Sequence, residues 1–315
     1  MKKKAAVFPA AGIGDALLMM IASARLLELG YEVTTLHPAL QQLQEWFPKQ
    51  KFAQPPPLEQ FSTFFSSYDL IIVENDNSLK IRALVQLREE RKIENLAIFY
   101  PTYELHKHAL RGPLDKVFNP KLPMAANIAE ATAKLLLLSS SSKDNNILPP
   151  ADLFYRQHMK RVVFHPTSSA LKKNWTPEKY FIVADKLQMK GFEPIFAVSS
   201  YERPAWLESE KRGFALPKFE SLDQLARFVY ESGYVIGNDS LLGHLASNLH
   251  IPTLIIADNA QRMRLWQPDW LQGRVITPPH WIPNCKGLRW REQHWQKWIS
   301  PRRVLVEFDQ LSRTL

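Results

Sequence analysis

One pattern recurs from end to end of this chain. A short apolar run rich in β-branched and aromatic residues gives way to a break, and then to a segment whose apolar residues are spaced three and four apart. "KAAVFPA" (4–10) reads as a buried strand, followed by a Gly-containing loop and a helix from about Asp15 to Leu29 that Gly30 terminates. "YEVTTLH" (31–37), "YDLIIVE" (68–74) and "NLAIFY" (95–100) are further strands, with helical spacing over 78–91 and 124–138. Strands separated by helices specify a parallel sheet with crossover helices, an α/β architecture.

The alternation restarts after "SSSSKDNNILPPAD" (139–152), the polar, proline-containing stretch expected at a domain boundary. "KRVVFHP" is a strand, 177–190 a helix stopped by Gly191, and "FEPIFAVS" a strand. A helix near 222–231, the strand "GYVIG", a helix over 241–249, the strand "IPTLIIA" and a last strand in "GRVITPP" follow, and the basic tail 291–315 is helical in pattern. The two halves share one plan of strand, special loop and helix. We therefore expect two facing Rossmann-like, doubly wound domains, over 1–155 and 156–300, with 301–315 as a terminal helix packing back on the first domain.

A chain of 315 residues accommodates two such domains, and 45% hydrophobic with 23% charged residues suits a water-soluble core. The single cysteine, Cys285, excludes an internal disulfide. A formal net charge of +9 favours acidic partners without choosing among phosphorylated substrates, nucleotides, anionic lipid and nucleic acid. The N-terminal "MKKKAAVFPAAGIGDALLMMIASA" imitates a secretion signal, but Pro9, Gly12, Gly14 and Asp15 interrupt its apolar region. The uninterrupted stretch Ala16 to Ala24 is too short to span a bilayer. These features favour a cytoplasmic location.

Ligands of doubly wound sheets bind beyond the carboxyl ends of the strands. Three loops then qualify for a shared cleft. In 237–250, Asp239 or Ser240 stands where a helix cap belongs, and Leu242, Leu245, Ala246 and Leu249 give the helix one buried face. The same helix N-terminus, with its free N–H groups, suits a phosphate or diphosphate. His244, one turn in, reads more simply as structural, because no metal-ligand spacing surrounds it. In 165–180, Thr167, Ser168 and Ser169 offer hydroxyls directly after a strand, and Lys172 and Lys173 add charge. The bland alternative there is a solvated basic loop. In 9–18, Gly12 and Gly14 allow close backbone approach, and Asp15 is either an N-cap or a general base. This is no dinucleotide fingerprint, since its third glycine would fall at Leu17.

Taken together, Gly-x-Gly-Asp near the start, Lys-x-Trp-x-Pro in the middle and Gly-Asn-Asp-Ser-x-x-Gly-His-Leu-Ala late resemble glycosyltransferase family 9, the lipopolysaccharide heptosyltransferases and their relatives. The resemblance implies a GT-B fold, an acceptor-binding first domain and a nucleotide-sugar-binding second domain, with inverting, metal-independent transfer and no cofactor. ADP-heptose is the expected donor, and a lipid-linked or core-oligosaccharide acceptor the expected partner. Nucleic acid is not expected, and peripheral contact with an anionic membrane is compatible. Another nucleotide sugar, a protein acceptor or a non-catalytic GT-B scaffold are the alternatives. By the same resemblance Asp15 is the base and Lys173 stabilises the leaving diphosphate. Thr167, Ser168, Ser169, Asp239, Ser240, Leu241, Gly243 and His244 fall on the donor side, and Gly12 and Gly14 on the acceptor side. Leu241 stands where the family has glycine, and Met19-Met20-Ile21 near where it has a threonine and proline.

Two turn-like or basic stretches are set aside. "ENDNS" (74–78) resembles a metal-binding acidic motif but lacks the second aspartate, and reads as a strand-to-helix turn. Trp290, Trp295 and Trp298, interleaved with basic residues, are expected to pack the terminal helix onto the body.

Overall fold

The computed structural model describes residues 2–271, 273–284 and 289–313, so Cys285 and the last two residues of the expected terminal helix lie outside the described residues. The chain divides into two compact units, Met1–Pro150 and Ala151–Leu315. The division falls inside the polar, proline-containing stretch, a few residues before the expected boundary at 155.

In the first unit the elements run β1 (Lys4–Phe8), α1 (Ile13–Glu28), β2 (Glu32–Leu36), β3 (Lys51–Ala53), α2 (Phe61–Phe65), β4 (Leu70–Glu74), α3 (Leu79–Glu89), β5 (Leu96–Tyr100), β6 (Lys116–Val117) and α4 (Met124–Leu136). All sheet pairings are parallel and the strand order is β3-β2-β1-β4-β5-β6. This is the doubly wound order, and its direction reverses between β1 and β4. Every residue of β4 and β5 is buried, which is why "LIIVE" and "LAIFY" are almost continuously apolar rather than alternating. β3 and β6 have three and two residues, too few to show a period, and the sequence did not reveal them.

The second unit contains β7 (His158–His165), α5 (Pro177–Met189), β8 (Glu193–Phe196), α6 (Glu208–Lys211), α7 (Leu222–Tyr230), β9 (Ser232–Asn238), α8 (Leu241–Asn248), β10 (Thr253–Ile256), α9 (Ala260–Trp266), β11 (Arg274–Ile276), α10 (Trp290–Gln293), α11 (Trp295–Trp298) and α12 (Pro301–Arg313). Its sheet is again parallel, in the order β11-β10-β9-β7-β8. Counted from β7, this is the other common doubly wound order, and it reverses between β7 and β9. Gly30 and Gly191 follow α1 and α5 with φ of 81° and 80°, the left-handed geometry in which glycine costs least.

α12 is amphipathic, and Val304, Phe308 and Leu311 are buried in one core cluster with Phe164, Tyr234 and Leu254. The helix packs on α5, β10 and β11. The expectation that it packs on the first domain is therefore corrected, because its apolar face belongs to the core of the second unit. The tryptophans precede this helix on two short turns. Trp295 is buried, whereas Trp290 is 53% exposed.

Candidate functional site

Each sheet reverses its winding at a pair of adjacent strands, and crevices form beyond the carboxyl ends of such pairs. The residues singled out from the sequence fall at those two places.

In the first unit, β1 and β4 run side by side, with Phe8 opposite Val73. The chain leaves β1 through Pro9–Gly12 and enters α1 at Ile13, two residues earlier than expected. Asp15 is therefore not the N-cap. Gly12 holds that position with no side-chain cap, and Asp15 sits in the first helical turn beside Gly14. A Cβ on Gly12 would lie 2.3 Å from Asp15 Oδ2, so the carboxylate folds back over the glycine and needs its missing side chain.

Three side chains from other elements hold the loop. Lys80, in α3, donates to the Pro9 carbonyl. Glu74, the last residue of β4, accepts the Ala10 N–H through Oε2 at 3.1 Å. His37, just after β2, meets the Ala11 carbonyl through Nε2 at 3.2 Å, which requires that nitrogen to carry the proton. Glu74 is 1% exposed. Burial, followed by the charge of Asp15, pushes its carboxyl from an ordinary value of 4.5 up to about 8. Burial also lowers His37 and Lys80, and Lys80 remains paired with Asp76 at 3.3 Å. Phe8, the loop, Leu36, His37, Pro55, Pro56, Phe61 and Lys80 line a cavity of about 350 Å³.

The sequence did not single out Glu74, Lys80 or His37. Glu74 falls within the "ENDNS" stretch, which does form the strand-to-helix turn as expected. An acidic residue ending an otherwise apolar strand was the signal available.

In the second unit, β7 and β9 are neighbours, with His165 opposite Gly237. Asn238 ends β9 and is fully buried. Its Oδ1 accepts the Trp175 N–H and the Tyr180 hydroxyl, each at 3.0 Å, and its Nδ2 donates to the Pro166 carbonyl at 2.6 Å. The amide thus fixes both ends of the 166–175 loop. Trp175 in turn donates from Nε1 to the Ile299 carbonyl, while Trp295 donates from Nε1 to the Lys172 carbonyl.

The hydroxyls of this loop divide. Ser168 is used internally, donating to Asn174 and Ala170, and Ser169 is exposed. Thr167 is buried, and its Oγ1 has no hydrogen-bond partner among the described residues. Lys173 lies half-buried in the turn Leu171–Lys173, with no carboxylate partner among the described residues.

Ser240 takes the N-cap position of α8, but its side chain makes no cap hydrogen bond. Its Oγ is buried without a partner among the described residues, as is Nδ1 of His244. Burial lowers the His244 pKa, and the charge of Asp239 only partly opposes this. The expectation of a conventional cap is therefore corrected: neither Ser240 nor Asp239 caps α8. Asp239 instead pairs with Arg262 of α9 at 3.1 Å, and Arg262 also reaches Asp258 at 2.8 Å. α9 and its arginine were not anticipated, because seven residues with no clean period give little helical signal. Leu241 begins α8 half-buried. Gly243 serves packing, since a Cβ there would lie 2.6 Å from Ile255 Cδ1. A polar cavity of about 230 Å³ adjoins Asp258, lined by Asn259, Gln261, Arg264, Asn284 and Arg291 among others.

A helix N-terminus without a side-chain cap, flanked by unpartnered buried hydroxyls, provides donors that an anion with several oxygens can satisfy. Among the described residues no group of three or more His, Cys, Asp and Glu side chains is placed to hold a metal ion. No described helix is long and apolar enough to cross a membrane.

Residues 122–269 match the model of glycosyltransferase family 9 (heptosyltransferase). That stretch includes the 166–175 loop, α8 and Arg262, and leaves Asp15 outside. No curated protein matches the chain in sequence. Among solved structures, ADP-heptose lps heptosyltransferase II of E. coli is similar, with a TM-score of 0.71 at 18% identity over 100% of this chain and 99% of that one. A glycosyl transferase family 9 protein from Veillonella parvula gives 0.73 at 15% identity, covering 100% and 99%. E. coli heptosyltransferase WaaC with ADP gives 0.69 at 16% identity, covering 98% and 99%. The family match covers residues 122–269, and the fold shared with these structures is that of two doubly wound units of the GT-B type.

Proposed function

We propose that the chain transfers a sugar, heptose from ADP-heptose, to a lipopolysaccharide inner-core acceptor with inversion at the anomeric carbon. The observation that carries the donor half is the N-terminus of α8, where Ser240 makes no side-chain cap hydrogen bond and the Ser240 and Thr167 hydroxyls are buried without partners among the described residues. A diphosphate satisfies them and gains the positive end of the helix dipole. Lys173 then neutralises charge building on the leaving diphosphate. Asp239, held by Arg262, has a fixed carboxylate for the hydroxyls of the donor sugar. The ADP preference draws on what similar proteins are described as binding, ADP in one and an ADP-heptose analogue in another.

Asp15 is the proposed base. A sugar hydroxyl is a weak nucleophile, and a carboxylate within hydrogen-bond reach takes its proton as the new C–O bond forms. The negative charge of Asp15 is consistent with its effect on Glu74, whose proton it helps to retain.

The test is thermal stabilisation by ADP, UDP, GDP and CMP. Binding to the folded state alone raises the melting temperature by mass action. A selective rise with ADP, lost in Ser240→Ala combined with Thr167→Val, supports this reading. No rise with any nucleotide would overturn the donor site.

A further inference from the structure

We propose that Lys80, Glu74 and His37 are positioning residues that clamp the Pro9–Ala11 backbone and so fix the place of the Asp15 carboxylate. This rests on the base role proposed for Asp15. The clamp meets successive residues of one loop from three elements, with Lys80 on the Pro9 carbonyl, Glu74 on the Ala10 N–H and His37 on the Ala11 carbonyl. The next residue, Gly12, is the one over which the Asp15 carboxylate folds, and its own carbonyl accepts the Ala16 N–H at 2.9 Å as α1 begins. Any slack in 9–11 is therefore passed directly to Asp15.

Satisfying one N–H does not require a carboxyl; a neutral amide would serve. A buried carboxyl beside a second one is costly unless one of them holds a proton. The two differ in environment. Glu74 is enclosed at the end of a wholly buried strand, whereas Asp15 is half-buried at a helix N-terminus, where negative charge is favoured. The proton therefore belongs to Glu74. The groups facing it are Asp15 from α1, Lys80 from α3 and Asp76 from the intervening turn, with His37 after β2 held neutral by burial. Ionisation of Glu74, at about pH 8, adds a second negative charge beside Asp15 and competes for Lys80, which then leaves the Pro9 carbonyl.

The experiment compares wild type, Glu74→Gln and Glu74→Ala in three measurements. In the pH profile of kcat, wild type should show an alkaline fall centred near 8 that Glu74→Gln lacks. At neutral pH, Glu74→Ala should lose roughly ten- to a hundredfold in kcat with donor KM unchanged, and Glu74→Gln should recover most of that loss because it still accepts the Ala10 N–H. Infrared difference spectra should show a carboxylic-acid carbonyl band in wild type that disappears through about pH 8 and is absent from Glu74→Gln. An unchanged alkaline limb in Glu74→Gln, or equal activity in the two variants, overturns the clamp. The infrared band needs no substrate: a protein that shows it but transfers no sugar contradicts the function proposed above and keeps the protonated Glu74. A protein that transfers sugar without the band contradicts the clamp alone.

Discussion

Asn238 at the end of β9 holds Trp175 by its main chain, accepting the Trp175 N–H at 3.0 Å across 63 residues of sequence. The same amide binds Pro166 and the Tyr180 hydroxyl, so a single buried side chain ties the strand end to the loop that carries Thr167 and Lys173. Replacing it by alanine leaves the Trp175 N–H and the Tyr180 hydroxyl buried and unpaired. Asn238→Ala should lose roughly 3 kcal/mol in denaturant unfolding, the sum of two such desolvation costs, and should weaken ADP binding.

Asp239 depends on Arg262 for its orientation. The pair is largely shielded from solvent, so removing the cation should cost on the order of 1 kcal/mol of donor binding. Arg262→Met should therefore raise donor KM about fivefold, within the range that such an energy permits, with a smaller change in kcat. Steady-state kinetics at varied donor concentration check this.

Gly12 has no room for a side chain. Gly12→Ala would place a methyl group 2.3 Å from Asp15 Oδ2 and swing the carboxylate away. The expected result is a fall of about a hundredfold in kcat with ADP affinity unchanged, as for a misplaced catalytic group. Parallel rate and titration-calorimetry measurements separate the two effects.

Glu74 also links stability to pH. Its folded-state pKa of about 8 lies above the ordinary value of 4.5, so the neutral carboxyl is the form the fold favours. Its contribution is fully present below 4.5 and is lost as pH rises through 8. Wild type should therefore lose stability relative to Glu74→Gln across that window, on the order of a few kcal/mol, read as a diverging difference in denaturant midpoints.

The outline of both sheets was legible because central strands such as "LIIVE" and helices such as α8 declare themselves by composition and period. The loops at the two reversal points were also legible, since glycine, hydroxyl and acidic residues directly after apolar runs mark them. What holds those loops was not. Glu74 meets Ala10 across 64 residues, and Asn238 meets Pro166 across 72, contacts that exist only once strand order is set. Ser240 illustrates the converse: its type and position spell a helix cap, yet its hydroxyl makes no cap bond. α12 was recognised as a helix and assigned to the wrong core, because an amphipathic period shows that a face is buried and not what buries it.

The base role of Asp15 is tested most directly by ADP release from ADP-heptose in the presence of a lipopolysaccharide core acceptor, measured for wild type and Asp15→Asn alongside ADP affinity. Removing a general base costs typically two to four orders of magnitude. Asp15→Asn should bind ADP as wild type does and release it from ADP-heptose at least about a hundredfold more slowly. Equal rates in the two proteins would contradict the assignment of Asp15 as the base.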